Sequence, residues 1–211
     1  MSDRALLKVN NLSVSFKTND GIVDAVKKVN FTLKSSETLA IVGESGSGKS
    51  TTAKMIAKMY APTDGTIEYF GRDIQSITKH DDLMKYRQGV QMVWQDPFGS
   101  LNPTHNIFHH IARPLLIHKK VTPGNKRELE ERVYDLLEQV GLIPPKETAK
   151  KYPHQLSGGQ RQRVNLARNI AVGAEVVLAD EPTSMLDVSI RAGVLNLMEE
   201  MKFEKQMSLL Y

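Results

Sequence analysis

One segment, GESGSGKST at residues 43–51, constrains the fold of this 211-residue chain more than any other. It follows the apolar run TLAIV at residues 38–42, which predicts a strand buried on both faces. A helix-forming stretch comes next, over residues 49–60, and Ala61 and Pro62 mark its end. A strand, a Gly-rich loop and a helix in this order are the context that identifies G-x-x-x-x-G-K-[ST] as a phosphate-binding loop. The same context disfavours the alternative, a chance Gly/Ser-rich turn.

The residue types of this loop suit a nucleotide. Its glycines let successive backbone N–H groups turn inward around phosphates, and the helix N-terminus adds the positive end of its dipole. Lys49 is placed to reach the β- and γ-phosphates, and the Ser50 hydroxyl to ligate Mg²⁺. The predicted nucleotide-binding residues of the loop are Gly43, Glu44, Ser45, Gly46, Ser47, Gly48, Lys49, Ser50 and Thr51.

A second candidate site is VVLADE at residues 176–181. Four apolar residues carry Asp180 to the end of a predicted central strand, where its carboxylate can hold a metal shell. Glu181 follows, placed to polarise an attacking water as a general base. Adjacent carboxylates at a strand end also serve as helix N-caps, and this role stays open from these residues alone. The phosphate loop upstream favours the metal and water chemistry.

The rest of the chain contains both strand-forming and helix-forming segments. The residues before the phosphate loop are β-rich, with turn residues at Asn19, Asp20 and Gly21. Residues 96–163 are punctuated by Pro and Gly and otherwise helical, most clearly over residues 126–140 before Gly141. Further strands are predicted at residues 6–16, 22–29, 31–33, 66–69, 90–94 and 175–179, and a helix at 188–203. We therefore predict an α/β fold with a helical insertion.

Between the two sites lies QLSGGQRQR at residues 155–163, with a serine and paired glycines like a second phosphate loop, and SMLD follows at 184–187. With these segments the chain resembles the ATP-binding-cassette ATPases, whose signature motif is LSGGQ, from about residue 6 to its end. The resemblance implies a P-loop NTPase with a RecA-like core, an N-terminal antiparallel β subdomain and an inserted α-helical subdomain. The β subdomain and core would comprise residues 1–96 and 164–211, and the helical subdomain residues 97–163.

The resemblance also implies roles that the residues alone do not show. Phe16 would stack on adenine with Val26 nearby, although a single strand phenylalanine is more often core packing. Gln95 would sense the γ-phosphate and share Mg²⁺ with Ser50 and Asp180. The ATP of a second ATPase subunit, identical or different, would be contacted in trans by Leu156, Ser157, Gly158, Gly159, Gln160 and Asp187.

Two longer segments narrow the resemblance. QMVWQDPFGSLNP at residues 91–103 and KYPHQLSGGQRQRV at 151–164 are similar to ATPases of peptide-type importers. The short connection at residues 61–74 resembles the second of their two ATPase types. This implies ATP hydrolysis that powers import of peptides or related solutes such as nickel, glutathione or oligosaccharides. It also implies permease subunits, an indirectly associated solute-binding protein, and a peripheral location on the cytoplasmic face of the membrane.

Composition excludes several other classes. The chain has no cysteine, which removes disulfides and thiolate metal sites, and its start does not resemble a signal peptide. No apolar run approaches the ~20 residues of a spanning helix. The net charge is +4 without a long basic run, so a mixed solvated surface is favoured over nucleic-acid binding. His105, His109 and His110 share a helical spacing, but without acidic neighbours surface histidines are favoured over a metal face.

The final residues, MSLLY, end inside a predicted core strand. The family pattern continues with a histidine that contacts the γ-phosphate, and no histidine follows Asp187 here. We therefore expect that the C-terminal part of the core and the family's C-terminal extension are missing, and that hydrolysis by these 211 residues alone is impaired. Two alternatives stay open: a fragment that binds ATP without hydrolysing it, and a soluble ABC switch in DNA repair or on the ribosome. The chain lacks the long coiled coil, zinc-binding cysteines or second cassette usual in such switches.

Overall fold

A computed structural model describes residues 5–19 and 21–211, so Asp20 of the predicted turn lies outside the described residues. The described strands form two four-stranded sheets. The strands are β1 (Ala5–Thr18), β2 (Gly21–Lys34), β3 (Thr38–Leu39), β4 (Asp64–Tyr69), β5 (Arg72–Asp73), β6 (Val90–Val93), β7 (Val176–Ala179) and β8 (Ser208–Leu210). The α-helices are α1 (Lys49–Ile56), α2 (His80–Gly89), α3 (Ile107–Ile117), α4 (Lys126–Gln139), α5 (Pro145–Lys150), α6 (Gly158–Val172) and α7 (Val188–Lys205). Short 3₁₀ helices span Ile74–Ser76 and Pro153–Gln155.

The first sheet is antiparallel, in the order β2-β1-β4-β5. β1 and β2 pair along their whole length, with Val14 opposite Val26 and Phe16 opposite Val23. The two strands predicted at 22–29 and 31–33 are one strand, β2, in which Lys28 takes a left-handed conformation with φ 48°. The register shifts between β1 and β2 near that point, as a β-bulge does, so one long strand replaces two short ones.

The second sheet is parallel, in the order β3-β8-β7-β6. All four residues of β7 are buried, and they alternate between two apolar cores. Val176 and Leu178 face the core that includes β1 and α1, whereas Val177 and Ala179 face the core of α6, α7 and the helical insertion. β8 pairs with both β3 and β7, which confirms the strand predicted at the last residues. Antiparallel sheet, parallel core and helical insertion are thus all present.

The strand before the phosphate loop differs from its prediction. Regular strand geometry ends at Leu39, and one further ladder bond joins the Ile41 N–H to the Tyr211 carbonyl at 2.7 Å. The prediction that this run is buried on both faces is wrong, since Val42 is 88% exposed. The reason is its place in the sheet: among the described strands β3 has a neighbour, β8, on one side only.

Helix α1 is also shorter than predicted, ending at Ile56 instead of residue 60. Lys58 adopts a left-handed conformation with φ 55°, and the Met59 N–H donates back to the Lys54 carbonyl at 2.9 Å, which closes the helix. The Lys58 ammonium donates to two carbonyls, those of Ile74 at 2.6 Å and Ile77 at 2.8 Å. The end of α1 is therefore held by a contact with residues distant in sequence, and the local sequence pattern cannot predict such a contact.

Helices α3, α4 and α5 form the insertion between β6 and α6. Their apolar faces meet in one core, in which Ile111, Leu115, Leu136 and Leu137 are fully buried. Helix α6 runs continuously across the predicted boundary at residues 163 and 164, and the division into subdomains stays a prediction. None of the helices in the described ranges combines the length and apolar character that crossing a bilayer requires.

A substitution at Leu136 tests the core formed by helices α3, α4 and α5. Replacing it with Ala should lower the free energy of unfolding by about 2–5 kcal/mol, because the side chain is fully buried and its removal leaves a cavity. Glu130→Ala, on the exposed side of the same helix, should change it by less than about 0.5 kcal/mol. Urea unfolding measures both. Equal losses for the two variants would contradict this placement of α4.

Candidate functional site

The carboxyl ends of two parallel strands meet at one edge of the second sheet. Val93 of β6 lies opposite Ala179 of β7, and the Asp180 N–H donates to the Val93 carbonyl at 3.0 Å. Just beyond this edge, the Gln95 amide donates to the Glu181 carboxylate, Nε2 to Oε2, at 3.0 Å. Residues that are far apart in sequence are therefore joined where open α/β sheets bind ligands.

The phosphate loop connects β3 with α1 and is largely exposed. Gly48 is the N-cap of α1 with φ 94°, a conformation that favours glycine. A Cβ on Gly48 would lie 2.4 Å from the Ala25 carbonyl oxygen, so the loop passes directly over β2. The Lys49 ammonium donates to the carbonyls of Gly43 and Glu44, each at 2.8 Å. The Lys49 ammonium therefore lies within an exposed loop, where an anion can reach it.

Ser50 and Asp180 meet beside the loop. The Ser50 hydroxyl donates to the Asp180 carboxylate, Oγ to Oδ1, at 2.6 Å, and both side chains are half-buried. A hydroxyl and a carboxylate oxygen are the ligands that Mg²⁺ prefers in proteins. The sequence-predicted pair is therefore in contact. A cavity of about 230 Å³ adjoins it, lined by Ala40, Ile41, Val42, Lys49, Ala53, Ala179, Asp180, Glu181, Pro182, Leu210 and Tyr211.

Glu181 sits on an unusual piece of backbone. Its φ of 44° is left-handed, a conformation that few non-glycine residues adopt and that occurs at functional sites. Its carbonyl accepts hydrogen bonds from the Ser184 N–H at 3.1 Å and hydroxyl at 3.0 Å, which close a turn. The next helix begins only at Val188, with Asp187 as its N-cap residue. The alternative that Asp180 and Glu181 cap a helix is therefore wrong.

The two residues assigned to adenine lie on the antiparallel sheet. Val26 is buried in its core, and its Cγ2 lies 2.9 Å from the position of a Cβ on Gly48, directly behind the phosphate loop. Phe16 is half-buried and contacts Tyr60 edge to face, with ring centroids 5.4 Å apart. Sequence reasoning missed Tyr60 because it placed that residue inside α1. The adenine role of Phe16 and Val26 stays a prediction.

The signature segment, residues 156–160, forms the start of α6. Ser157 is its N-cap: its hydroxyl accepts from the Gln160 N–H at 3.3 Å, and its own N–H donates to the Gln160 side chain at 3.0 Å. A Cβ on Gly159 would lie 2.4 Å from Ile190, so glycine lets α6 approach α7. No described hydrogen bond joins these residues or Asp187 to residues 43–51.

The sequence profile of the family described as "ABC transporter" matches residues 26–184, which include the phosphate loop, Gln95, the signature and the Asp180–Glu181 pair. The chain belongs to the ABC transporter family. The resemblance derived from the sequence is thereby confirmed.

Named members of the family show which ABC transporter proteins this chain is similar to. It is 45% identical over 206 residues to the oligopeptide transport ATP-binding protein OppF of Bacillus subtilis (strain 168), across 98% of this chain and 66% of OppF. It is 45% identical over 180 residues to the di/tripeptide transport ATP-binding protein DppF of Pseudomonas aeruginosa (strain UCBPP-PA14), across 85% of this chain and 54% of DppF. The chain thus spans about two thirds or less of these relatives' lengths.

A solved member of the family has the same fold. The ATP-binding cassette MJ0796, in a dimeric post-hydrolysis state bound to ADP and Pi, superimposes with a TM-score of 0.83 at 29% identity. The match covers 97% of this chain and 86% of that one. The predicted P-loop NTPase fold is confirmed.

The histidines of this ABC transporter chain differ in part from their prediction. His105 and His109 stack with ring centroids 4.0 Å apart, and both are exposed. His110 is 8% exposed, so its assignment to the surface is wrong. Its Nε2 lies 3.0 Å from the Asn102 carbonyl, and burial lowers the pKa of its imidazole. His110 is therefore a structural contact between α3 and the loop before it.

Gly48→Ala should lower the free energy of unfolding by about 1–3 kcal/mol, because a Cβ meets the Ala25 carbonyl and φ is left-handed. Gly46 also has a positive φ, but a Cβ there has no atom within 4 Å. Gly46→Ala should therefore carry only the conformational cost, about 1 kcal/mol. Urea denaturation compares the two. A loss at Gly46 as large as at Gly48 would contradict the close approach of the loop to β2.

Proposed function

We propose that this chain is the ATP-binding and ATP-hydrolysing part of a membrane importer for peptides. The observation that carries the proposal is the convergence of two contacts, Ser50 with Asp180 and Gln95 with Glu181, beside one phosphate loop. The solute class rests on the relatives, which are named for oligopeptide and for di/tripeptide transport.

ATP binds through its phosphates to the loop of residues 43–51. The Lys49 ammonium exchanges the carbonyls of Gly43 and Glu44 for phosphate oxygens, a short movement because both carbonyls belong to the loop itself. The N-terminus of α1 adds its dipole to this attraction. Phe16, already half-buried against Tyr60, offers an aromatic face for adenine.

Ser50, Asp180 and Gln95 would hold Mg²⁺: the side-chain oxygens of Ser50 and Asp180 are in contact beside the loop, and Gln95 lines a cavity together with Asp180. An ion held there would neutralise negative charge on the phosphates. Asp180 lies at the end of a fully buried strand, which fixes its carboxylate relative to the loop. This rigidity limits the reorganisation needed during the reaction.

Glu181 orients the attacking water and accepts its proton. The carboxylate is exposed and is held by the Gln95 amide, so Gln95 sets the direction in which it points. The left-handed turn at Glu181 separates its side chain from that of Asp180, which serves the metal. Two adjacent carboxylates can thus take two roles.

The signature surface serves the nucleotide of a second ATPase subunit. Among the described contacts, no hydrogen bond joins this chain's own phosphate loop to Leu156, Ser157, Gly158, Gly159, Gln160 or Asp187, which supports a site completed only in a head-to-tail pair. The dimeric state of the cassette MJ0796 supports such an arrangement. A pair of this kind has two-fold or near two-fold symmetry and holds two nucleotides.

Closure of that pair on ATP and its opening after hydrolysis drive the importer. Permease subunits receive the motion through the helical insertion, and a solute-binding protein delivers the peptide to them. The chain then lies on the cytoplasmic face of the membrane, attached through the permease. Nucleic acid has no part in this cycle.

Glu181→Gln should reduce ATP turnover about 100-fold or more, because the base is lost. ATP affinity should stay within about 2-fold, since the loop contacts remain, and the ATP-bound pair should accumulate. Hydrolysis, ATP binding and labelled peptide uptake are measured for the full-length protein with its permease in vesicles. Turnover near that of the unmodified protein would refute the role of Glu181, and active hydrolysis without peptide uptake would refute the solute class.

Ser157→Ala should lower ATP turnover about 100-fold by removing a donor to the partner's γ-phosphate. ATP affinity of a single subunit should not change. The variant also loses a helix cap, worth about 1 kcal/mol. Asn125 controls for this loss, since its side chain caps α4 by accepting from the Glu128 N–H at 3.1 Å. Asn125→Ala should cost similar stability and leave turnover intact. If both variants lose turnover equally, or if Ser157→Ala loses ATP affinity, the trans site is wrong.

A further inference from the structure

Gln162 lies on α6 with a fully buried side chain. Its amide nitrogen donates to two carbonyls from different parts of the chain, that of Trp94 at 3.2 Å and that of Pro182 at 2.6 Å. Trp94 directly precedes Gln95, and Pro182 directly follows Glu181. One side-chain amide therefore ties together the two backbone segments that carry the Gln95–Glu181 pair.

The oxygen of the Gln162 amide is hydrogen-bonded as well. The Gln162 Oε1 accepts from the Asn165 amide at 3.0 Å, and the same Asn165 nitrogen donates to the Ser100 hydroxyl at 2.8 Å. One turn further along α6, Arg168 donates to the Ser100 carbonyl at 3.2 Å. A row of polar side chains on one face of α6 thus holds the segment after Gln95 at Ser100.

A glutamine suits this position in a way that its near-isosteres do not. Both of its N–H groups find carbonyls and its oxygen finds a donor, so no buried polar atom of the amide is left without a partner. Glutamate has the same length, but it would place an oxygen against two carbonyl oxygens. Methionine fills the same space and supplies no donor. The hydrogen bonds of Gln162 can therefore be removed by substitution while the volume of its side chain is nearly kept.

We propose that Gln162 is a positioning residue that ties Gln95 and Glu181 to helix α6, whose first residues are the signature segment. This rests on the function proposed above. When the signature engages a nucleotide on the partner subunit, any movement of α6 reaches both segments through one amide. The signature surface of a subunit and its own hydrolytic residues are then linked within the chain.

The test compares Gln162→Met with Asn169→Leu in the full-length protein. Asn169 is the matched control: it lies on α6 two turns after Gln162, is 4% exposed, and its amide nitrogen has no partner. Gln162→Met should lower kcat for ATP at least about 10-fold with KM within about 2-fold, because the reactive pair is misplaced while the phosphate loop is intact. Gln162→Glu should lower kcat further. Asn169→Leu should change neither parameter.

An unchanged kcat in Gln162→Met would overturn the proposal. So would a rise in KM that matches the fall in kcat, or an equal defect in Asn169→Leu, since either points to a general loss of structure. If Gln162→Met does not fold, Gln162→Asn replaces it: the amide remains, but the side chain is one methylene too short to bridge both carbonyls. It should show the same split between kcat and KM.

Amide hydrogen exchange reads the contact without any hydrolysis. Exchange should rise in peptides covering residues 94–100 and 181–184 in the Gln162 variant, and in neither peptide in Asn169→Leu. Absence of hydrolysis in the unmodified protein would overturn the proposed function, while raised exchange in both peptides would still support the link made by Gln162. Unaltered exchange in both peptides would overturn the link even where hydrolysis is normal.

Discussion

The parallel pairing of β6 with β7 is the constraint on which the rest of this molecule depends. With Val93 opposite Ala179, the two strands end together, and Gln95, Asp180 and Glu181 emerge at one edge. The same register sends alternate residues of β7 into two different cores. A slip by one residue would exchange those faces and also separate Gln95 from Glu181. The burial that stabilises the sheet therefore also places the reactive groups.

Helix α6 meets opposite demands along its length. Its first turn is glycine-rich, partly exposed and capped by Ser157, and Gly159 has no room for a side chain beside Ile190. Its middle is buried, yet carries Gln162 and Asn165 where an apolar face would give a simpler core. The two amide nitrogens donate to loops that lead from the sheet edge, that of Gln162 to the Trp94 and Pro182 carbonyls and that of Asn165 to the Ser100 hydroxyl. Buried hydrogen bonds have directional requirements that apolar contacts lack, so the helix fixes the loops more narrowly.

The sequence predicts those features that depend on local spacing. The phosphate loop and the strand ending at Asp180 are predicted because each pairs a motif with its expected flanking element, whereas the signature is identified by the family motif itself. Gln95 had no such signal and came only from the family resemblance. The edge position of β3 and the left-handed Lys58 were missed, since the first depends on strand order and the second on carbonyls 16 and 19 residues away. Gln162 was missed because polar helical residues usually face water.

Two routes lead to the same pair of backbone segments. From the nucleotide, Gln95 holds Glu181 directly; from α6, Gln162 holds the carbonyls next to both. The free-energy contributions of contacts that share groups are not additive, so the contribution of one of these contacts depends on the presence of the other. Within this chain the Lys49 ammonium donates to two carbonyls of its own phosphate loop. On the proposed function, assembly changes the surroundings of the signature first, and we expect α6 to pass that change toward Glu181 through the hydrogen bond from Gln162 to the Pro182 carbonyl. All four residues of β7 are buried, whereas Glu181 is exposed in a left-handed turn, so we expect the turn to respond to such a change before the strand does.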